Sequence, residues 1–372
     1  FEDTERIFDR LEPEQFAFSL LTRSLRISHA NLQVRDPAFV QKIDRWFARQ
    51  AGIETDPVPP PMLTPYTLRG LNLKNRIVLS PMCMYSADDG TPSDWHLVHL
   101  GSRAIGGAGL LITEMTNVTR DGRITPGCTG MYKPEHVAAW KRITDFVHVN
   151  SQAKIGIQLA HAGRKGSTKV MWEGLDEPLD SGNWPLMAAS PIPYLPHSQV
   201  PRPMERSDMD RVRDAFVRAA QMSDSAGFDL IELHFAHGYL LHSFLSPITN
   251  RRTDDYGGAF ENRIRFPMEV FRSVRAVWPE DKPMLVRISA TDWLEDGWTV
   301  QDSVRLGKIL KEADCDMIDV STGQTTPESR PEFGRLYQTP FAERVRHEAD
   351  IPTMTVGNIS SFADCNSVLA AG

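Results

Sequence analysis

Seven short apolar runs separated by helix-length segments constrain this chain more than any other feature of its sequence. The runs cover residues 77–80, 110–113, 154–159, 230–234, 283–288, 317–320 and 353–356. Helical periodicity marks residues 98–105, 134–149, 208–226, 262–278, 299–313 and 339–348 between or after them, and 362–371 at the end. Such alternation favours a parallel sheet whose crossover connections are helices. A (β/α)8 barrel takes about 250 residues, so a chain of 372 has room for one barrel and a smaller piece. An eighth strand would follow Gly372. The fold expected is therefore an α/β TIM barrel with its last strand missing from this chain, preceded by a short helical segment.

Ahead of the barrel there is no strand signal. Residues 6–11, 14–25 and 37–50 read as short helices, with Ile43, Trp46 and Phe47 spaced for one buried face. Asp36-Pro37 suits a capped start with proline in the first turn. The run Asp56-Pro57-Val58-Pro59-Pro60-Pro61 is stiff and extended. It divides the chain into a helical tail over 1–55, a linker over 56–66 and the barrel over 67–372. Pro267 should bend or begin its helix, and Ser207-Asp208-Met209-Asp210 resembles a capping box. Residues 164–206 are rich in proline and tryptophan without a clear period. A loop this long covers a site or carries short structure of its own, so it is expected over the barrel mouth as a lid or partner surface.

Composition narrows the class. A formal charge of -7 argues against nucleic acid as a partner. No apolar run approaches the roughly 18 residues of a membrane span, and the acidic N-terminus is unlike a signal sequence. Cys83, Cys128, Cys315 and Cys365 are scattered, with no C-x-x-C pair for a zinc or iron–sulfur site. The reading is a cytoplasmic homo-oligomer without membrane, metal or nucleic acid. A start on Phe1 and a stop just after a helix-like segment read as a fragment.

Barrels of this kind keep their chemistry at the C-terminal ends of the strands. Here those ends carry Ser80-Pro81-Met82-Cys83-Met84-Tyr85, then Glu114-Met115, Gln158 and His161, His234 and His237, Arg287, Ser321, and Gly357-Asn358. His234 and His237 can donate, as neutral imidazoles, to a carbonyl oxygen. Metal ligation through His-x-x-His with Glu232 competes, although no third ligand is suggested. Tyr239 carries a phenol that is protonated at neutral pH and able to give its proton away; packing on the barrel rim is its plainer reading. Arg287 could equally be a structural salt bridge.

From about Met62 onward the chain resembles the old yellow enzyme family of FMN-dependent ene-reductases. NRIVLSPMCMYS, GIQLAHAGRK, HGYLLHSFLSP, NRRTDDYGG, ENR and VRIS match that family's pattern in order. The resemblance implies FMN as cofactor, NAD(P)H as reductant and an activated alkene or dearomatised ring as hydride acceptor. It places Ser80, Pro81, Met82, Cys83, Met115, Gln158, Arg287, Gly357 and Asn358 around the cofactor, with Cys83 tuning the flavin rather than acting as a nucleophile. Tyr239 becomes the proton donor, while Tyr85, His234 and His237 line the substrate pocket. The chemistry agrees: Gln158 offers an amide donor and acceptor to a pyrimidine edge, and Arg287 a positive charge where reduced flavin gathers negative charge. Met115 departs from the family's common small residue, and a glycine-arginine pair that completes the phosphate site would follow strand eight.

The front piece adds a finer expectation. Arg26-Ile27-Ser28-His29, Asn31-Leu32 and Arg35-Asp36-Pro37 resemble the tail of a FAD-dependent aromatic hydroxylase. Such a tail joined to this barrel is similar to bifunctional aryl-CoA monooxygenase/reductases acting on salicylyl-CoA or 2-aminobenzoyl-CoA. The small-molecule partner is then an aryl-CoA thioester, with FAD in the upstream domain. The alternatives are a stand-alone ene-reductase acting on enones and a non-catalytic barrel scaffold.

Overall fold

A computed structural model describes residues 11–22 and 27–372. Seven parallel strands form one curled sheet: β1 Val78–Leu79, β2 Leu110–Asn117, β3 Lys154–Ala160, β4 Leu230–Phe235, β5 Met284–Ser289, β6 Met317–Ser321 and β7 Thr353–Thr355. They neighbour one another in chain order from β1 to β7, with β1 and β7 at the two edges. The architecture is a TIM-barrel-like fold, and each strand coincides with one of the seven apolar runs. Strand β2 runs further than its apolar pattern, through Thr113, Glu114 and Met115 to Asn117. A register shift against β3 between Ile112 and Met115 marks a bulge there, which re-aims the side chains around it.

Helices cover the outside of the sheet. Strands β2, β4 and β5 are buried along their whole length, as a parallel sheet under helices requires. Trp140, Phe216, Phe228, Phe266 and Phe271 fill the layer between helices and strands. Each such side chain contributes about 1.5–3 kcal/mol by leaving water. Two local expectations are refined. The helix Arg206–Ser225 starts from Glu205, whose backbone N–H donates to Asp208 Oδ2 at 2.9 Å, so the cap lies two residues before Ser207. The segment carrying Pro267 is two helices, Phe260–Arg263 and Arg265–Arg275, and the proline sits in the first turn of the second.

A short hairpin, Tyr66–Leu68 with Leu71–Leu73, closes the N-terminal end of the barrel. Its Leu68, Leu71 and Leu73 pack on Leu110, Ile112, Leu230 and Leu285. Arg69 at the turn binds Asp314 and Asp316. Three-residue strands carry too little periodicity to be read from sequence, yet this apolar plug leaves only the opposite, C-terminal end for polar chemistry.

The front of the chain forms helices Pro13–Thr22, His29–Arg35 and Pro37–Gln50. The middle one was not expected; Ser28 caps it. Residues 6–10 and 23–25 of the expected front helices lie outside the described residues. Phe18, Leu32, Val40, Ile43 and Phe47 share a core with Ala370 of the helix Phe362–Ala371, and the His29 N–H donates to Ser367 Oγ at 2.8 Å. A cavity of about 230 Å³ lies between these helices and the edge strand β7, lined by Gln15, Phe47, Arg76, Thr353 and Thr355. Among the described residues no helix is long and apolar enough to cross a membrane.

Phe18→Ala removes a fully buried ring from this small core, a loss of about 3–5 kcal/mol. Hydrogen exchange is expected to rise sharply in residues 13–22, 29–50 and 362–371 while β2 to β5 keep their protection. Equal loss throughout would show that the helices and the barrel unfold as one unit.

Candidate active site

Register brings the strand-end residues into layers. Met115 of β2 is paired with Gln158 of β3, and Gln158 with Glu232 of β4. One step on, His234 of β4 is paired with Arg287 of β5, and Arg287 with Asp319 of β6. Gln158 Nε2 donates to Glu232 Oε1 at 2.7 Å, and Arg287 Nη1 lies 3.2 Å from Asp319 Oδ2. All of these side chains are buried. Arg287 therefore does pair with a carboxylate, as its plainer reading had it, and stands in register with His234. Gln158 has already committed one of its two N–H donors to Glu232.

The turn after β4 carries the aromatic and imidazole groups. His234 packs against His237 with ring centroids 5.0 Å apart and against Tyr239 at 5.2 Å. His237 and Gly238 both take left-handed backbone, φ 62° and 73°. A Cβ at Gly238 would lie 2.9 Å from the carbonyl oxygens of Gln324 and Thr325, so glycine is required there. Three bonds pin the turn: His237 N–H to Ser289 Oγ at 2.9 Å, His237 Nε2 with Ser321 Oγ at 2.8 Å, and Gly238 N–H to His242 Nδ1 at 2.8 Å.

Across the mouth, Met115 packs with Ile124, Cys128, Ala160 and Ala162, and Cys83, Tyr85 and Tyr239 lean on that cluster. The bulge in β2 turns Glu114 away from this group: its Oε1 accepts a hydrogen bond from His96 Nε2 at 2.7 Å and its Oε2 accepts from the Met84 N–H at 3.0 Å. The Ser93 N–H donates to His96 Nδ1, which leaves the proton on Nε2. Glu114 thus anchors the loop from Ser80 to Tyr85. Met82 is 48% exposed on that loop. Gly357, φ 112°, and Asn358, φ 53°, form a curled turn after β7, and a Cβ at Gly357 would press on Gln338.

The lid from 164 to 206 is tied down by Arg164, whose Nη1 donates to the carbonyls of Ile192 and Pro193 while Nη2 reaches Thr325 O. Its Trp172 meets Tyr85 edge-on at 6.2 Å. Lys165 is buried, and its Nζ donates to the carbonyls of His237 at 3.3 Å and Gln324 at 3.2 Å.

Burial governs the charges. It drives His234 well below the usual imidazole range, with Arg287 adding to the effect, and His237 likewise with His234 and Arg287 adding. Both rings are neutral at pH 7. Burial and then Asp319 raise Glu232 to about 8. Burial and Cys128 push the Cys83 thiol well above its ordinary value, which suits neither a nucleophile nor a thiolate ligand.

The NADH:flavin oxidoreductase / NADH oxidase family matches residues 61–372. An NADPH dehydrogenase of Geobacillus thermodenitrificans is 46% identical over 313 residues, spanning 84% of this chain and 87% of that protein. The chain belongs to this family, that of old yellow enzyme. An NADH:flavin oxidoreductase of Gibberella zeae is 41% identical over 330 residues, 84% of this chain and 80% of its own. Among solved structures, morphinone reductase superposes with a TM-score of 0.69 at 26% identity, covering 84% of this chain and 83% of its own. A 2-naphthoyl-CoA reductase shares the fold, with a TM-score of 0.76 at 23% identity, 84% of this chain and 48% of that one. The protein is accordingly an NAD(P)H-dependent flavin oxidoreductase.

The site suits the flavin of that family. His234 Nδ1, Arg287 Nε and Glu232 Oε2 are buried without a partner among the described residues, a cost that a polar-edged ligand would offset. Three participants were missed in the sequence: Asp319, Lys165 and the Glu114 anchor. The period of two along β4 puts Glu232 on the face of His234, and the same rule on β6 would have found Asp319.

Because unfolded histidines bind protons below 6.5 whereas His234 and His237 resist them when folded, stability falls as the pH drops from 6.5 toward their depressed values. His136 and His161, each near 4, act in the same direction. Glu232, raised to about 8, and Asp319 act in the opposite sense, but two carboxyls stand against four histidines, so denaturant midpoints should still decline from pH 6.5 to pH 5. Imidazole NMR signals of His234 and His237 that titrate between pH 6 and 7 would contradict this.

Proposed function

We propose that the oxidoreductase delivers hydride to an activated C=C bond or dearomatised ring next to a carbonyl, and that its natural acceptor is an aryl-CoA thioester. The observation that carries the reading is the packing of neutral His234 against both neutral His237 and the Tyr239 phenol, in register with Arg287 and one step on from Gln158. FMN, when bound, supplies the hydride chemistry. Gln158, Arg287, Met115, the Ser80-Pro81-Met82-Cys83 loop and the Gly357-Asn358 turn would hold it. His234 and His237 bind and polarise the acceptor's carbonyl oxygen; one such donor is worth about 3–4 kcal/mol in related sites. Tyr239 gives a proton to the carbon α to that carbonyl, and Tyr85 with Trp172 offers an aromatic wall for a flat ring.

Two further observations support the thioester. A 2-naphthoyl-CoA reductase has the same fold and was solved with its thioester, and the segment around Arg35-Asp36-Pro37 resembles an aromatic hydroxylase tail. On this reading an upstream FAD domain hydroxylates the aryl-CoA and the barrel hydrogenates the product. A stand-alone reductase acting on enones is the competing outcome.

Flavins released from the intact protein of the source cell and counted decide between them. One FMN with one FAD supports the fused enzyme; FMN alone leaves the simple reductase. For the proton donor, Tyr239→Phe is expected to lower the rate of alkene reduction about 100-fold, measured in the oxidative half-reaction by stopped flow. A wild-type rate would remove Tyr239 from the mechanism.

A further inference from the structure

Lys165 is 4% exposed, and among the described residues Asp176 acts on it through space without a hydrogen-bonded ion pair. Its Nζ lies 4.2 Å from the ring centroid of Tyr194 and 5.2 Å from that of Tyr239, besides the two carbonyls it donates to. An ammonium taken out of water is costly unless dipoles or π faces answer its charge. A lysine whose only task was to hold the lid could do so at the surface, whereas this one ends between the lid's tyrosine and the tyrosine of the β4 turn.

We propose that Lys165 is a positioning residue for proton delivery: its ammonium holds the Tyr239 ring and stabilises the phenolate that this ring becomes. The inference rests on Tyr239 as the proton donor put forward above. In the step concerned, the β-carbon of the alkene takes up a hydride, which bound FMN in its reduced form would supply. The O–H bond of Tyr239 breaks and its proton forms the new C–H bond at the α-carbon. The electron pair left on the phenol oxygen spreads into the ring, and water later restores the proton; the alkene gains two electrons and the flavin loses them. A cation beside a ring attracts its anion more strongly than its neutral form, so the interaction grows as the proton leaves. That help is needed, since burial and then Cys83, Tyr85 and Asp176 all oppose ionisation of Tyr239.

The groups around Lys165 set the pH at which this device works. Arg164 adjoins it on the same turn, Asp176 and Tyr194 face it from the lid, and Tyr239, His234, His237 and His242 face it from the β4 side. Burial brings Lys165 down to about 8, Asp176 opposing and Arg164 adding. The three histidines are held below their usual range and the phenols above theirs. Between pH 7 and 9, Lys165 is the member of this group that changes charge.

The experiment uses FMN-loaded protein with Lys165→Met, Lys165→Arg and Tyr239→Phe. Each is reoxidised in stopped flow by 2-cyclohexenone, which needs a proton at carbon, and by ferricyanide, which does not. Lys165→Met is expected to lower the ratio of cyclohexenone to ferricyanide rates about tenfold or more. The effect should fall on kcat more than on KM, and the decline in rate above pH 8 should vanish. Lys165→Arg, with a charge that persists at high pH, should recover most of the ratio and move that decline upward. An unchanged ratio in Lys165→Met, or equal slowing with both oxidants, overturns the inference. If Tyr239→Phe keeps the wild-type ratio, the donor assignment itself fails; if Tyr239→Phe is slow and Lys165→Met is not, only the role of Lys165 falls.

Discussion

Arg287 and Asp319 face each other 3.2 Å apart on neighbouring strands in direct register, both buried. Removing two charges from water costs several kcal/mol per ion, and their attraction offsets this only where the geometry is held. Parallel strands under a complete helical layer hold it. The rest of the site responds to this pair. Burial raises both carboxyls, Glu232 to about 8 with Asp319 adding, so Arg287 does not face two full negative charges near neutral pH. What remains of its positive field helps keep His234 and His237 neutral, and neutral rings can donate to a carbonyl without bringing a second cation into the pocket.

The β4 turn shows how such a site is kept in shape. Left-handed backbone at His237 costs on the order of 1–3 kcal/mol and persists only when its surroundings over-determine it. Here they do. Ser289 comes from β5, Ser321 from β6 and His242 from the short helix Leu240–Leu245, and each binds the turn. His242 lies 3.4 Å from Asp292, which also accepts from Ser246 and Thr325. Loops from several strands are joined through one buried polar network. Motion at any of them would be felt at Tyr239.

Much of this was legible in the chain. All seven barrel strands coincide with the runs picked out in the chain, most plainly in the centre of the sheet, where a doubly covered parallel strand must be largely apolar, and Trp46 aside, the spacing of Ile43 and Phe47 marked the face that is buried. The Tyr66–Leu73 hairpin was not legible, since three residues hold no period. Neither was the bulge in β2, because an extra residue shows itself only against its partner strand. That bulge is why Glu114, placed by its position among the site residues, is instead the anchor of the Ser80–Tyr85 loop.

The sequence by itself determined the fold class, the end of the barrel where chemistry resides, and the residue types gathered there, since periodicity and strand-end position are local properties of the chain. Only the tertiary structure decided the partners: that Arg287 takes Asp319, that Gln158 donates a hydrogen bond to Glu232, and that Lys165 ends beside Tyr239. Those pairings join residues tens of positions apart through strand register and lid packing. Burial then fixes their charges, because the cost of an ion depends on everything packed around it.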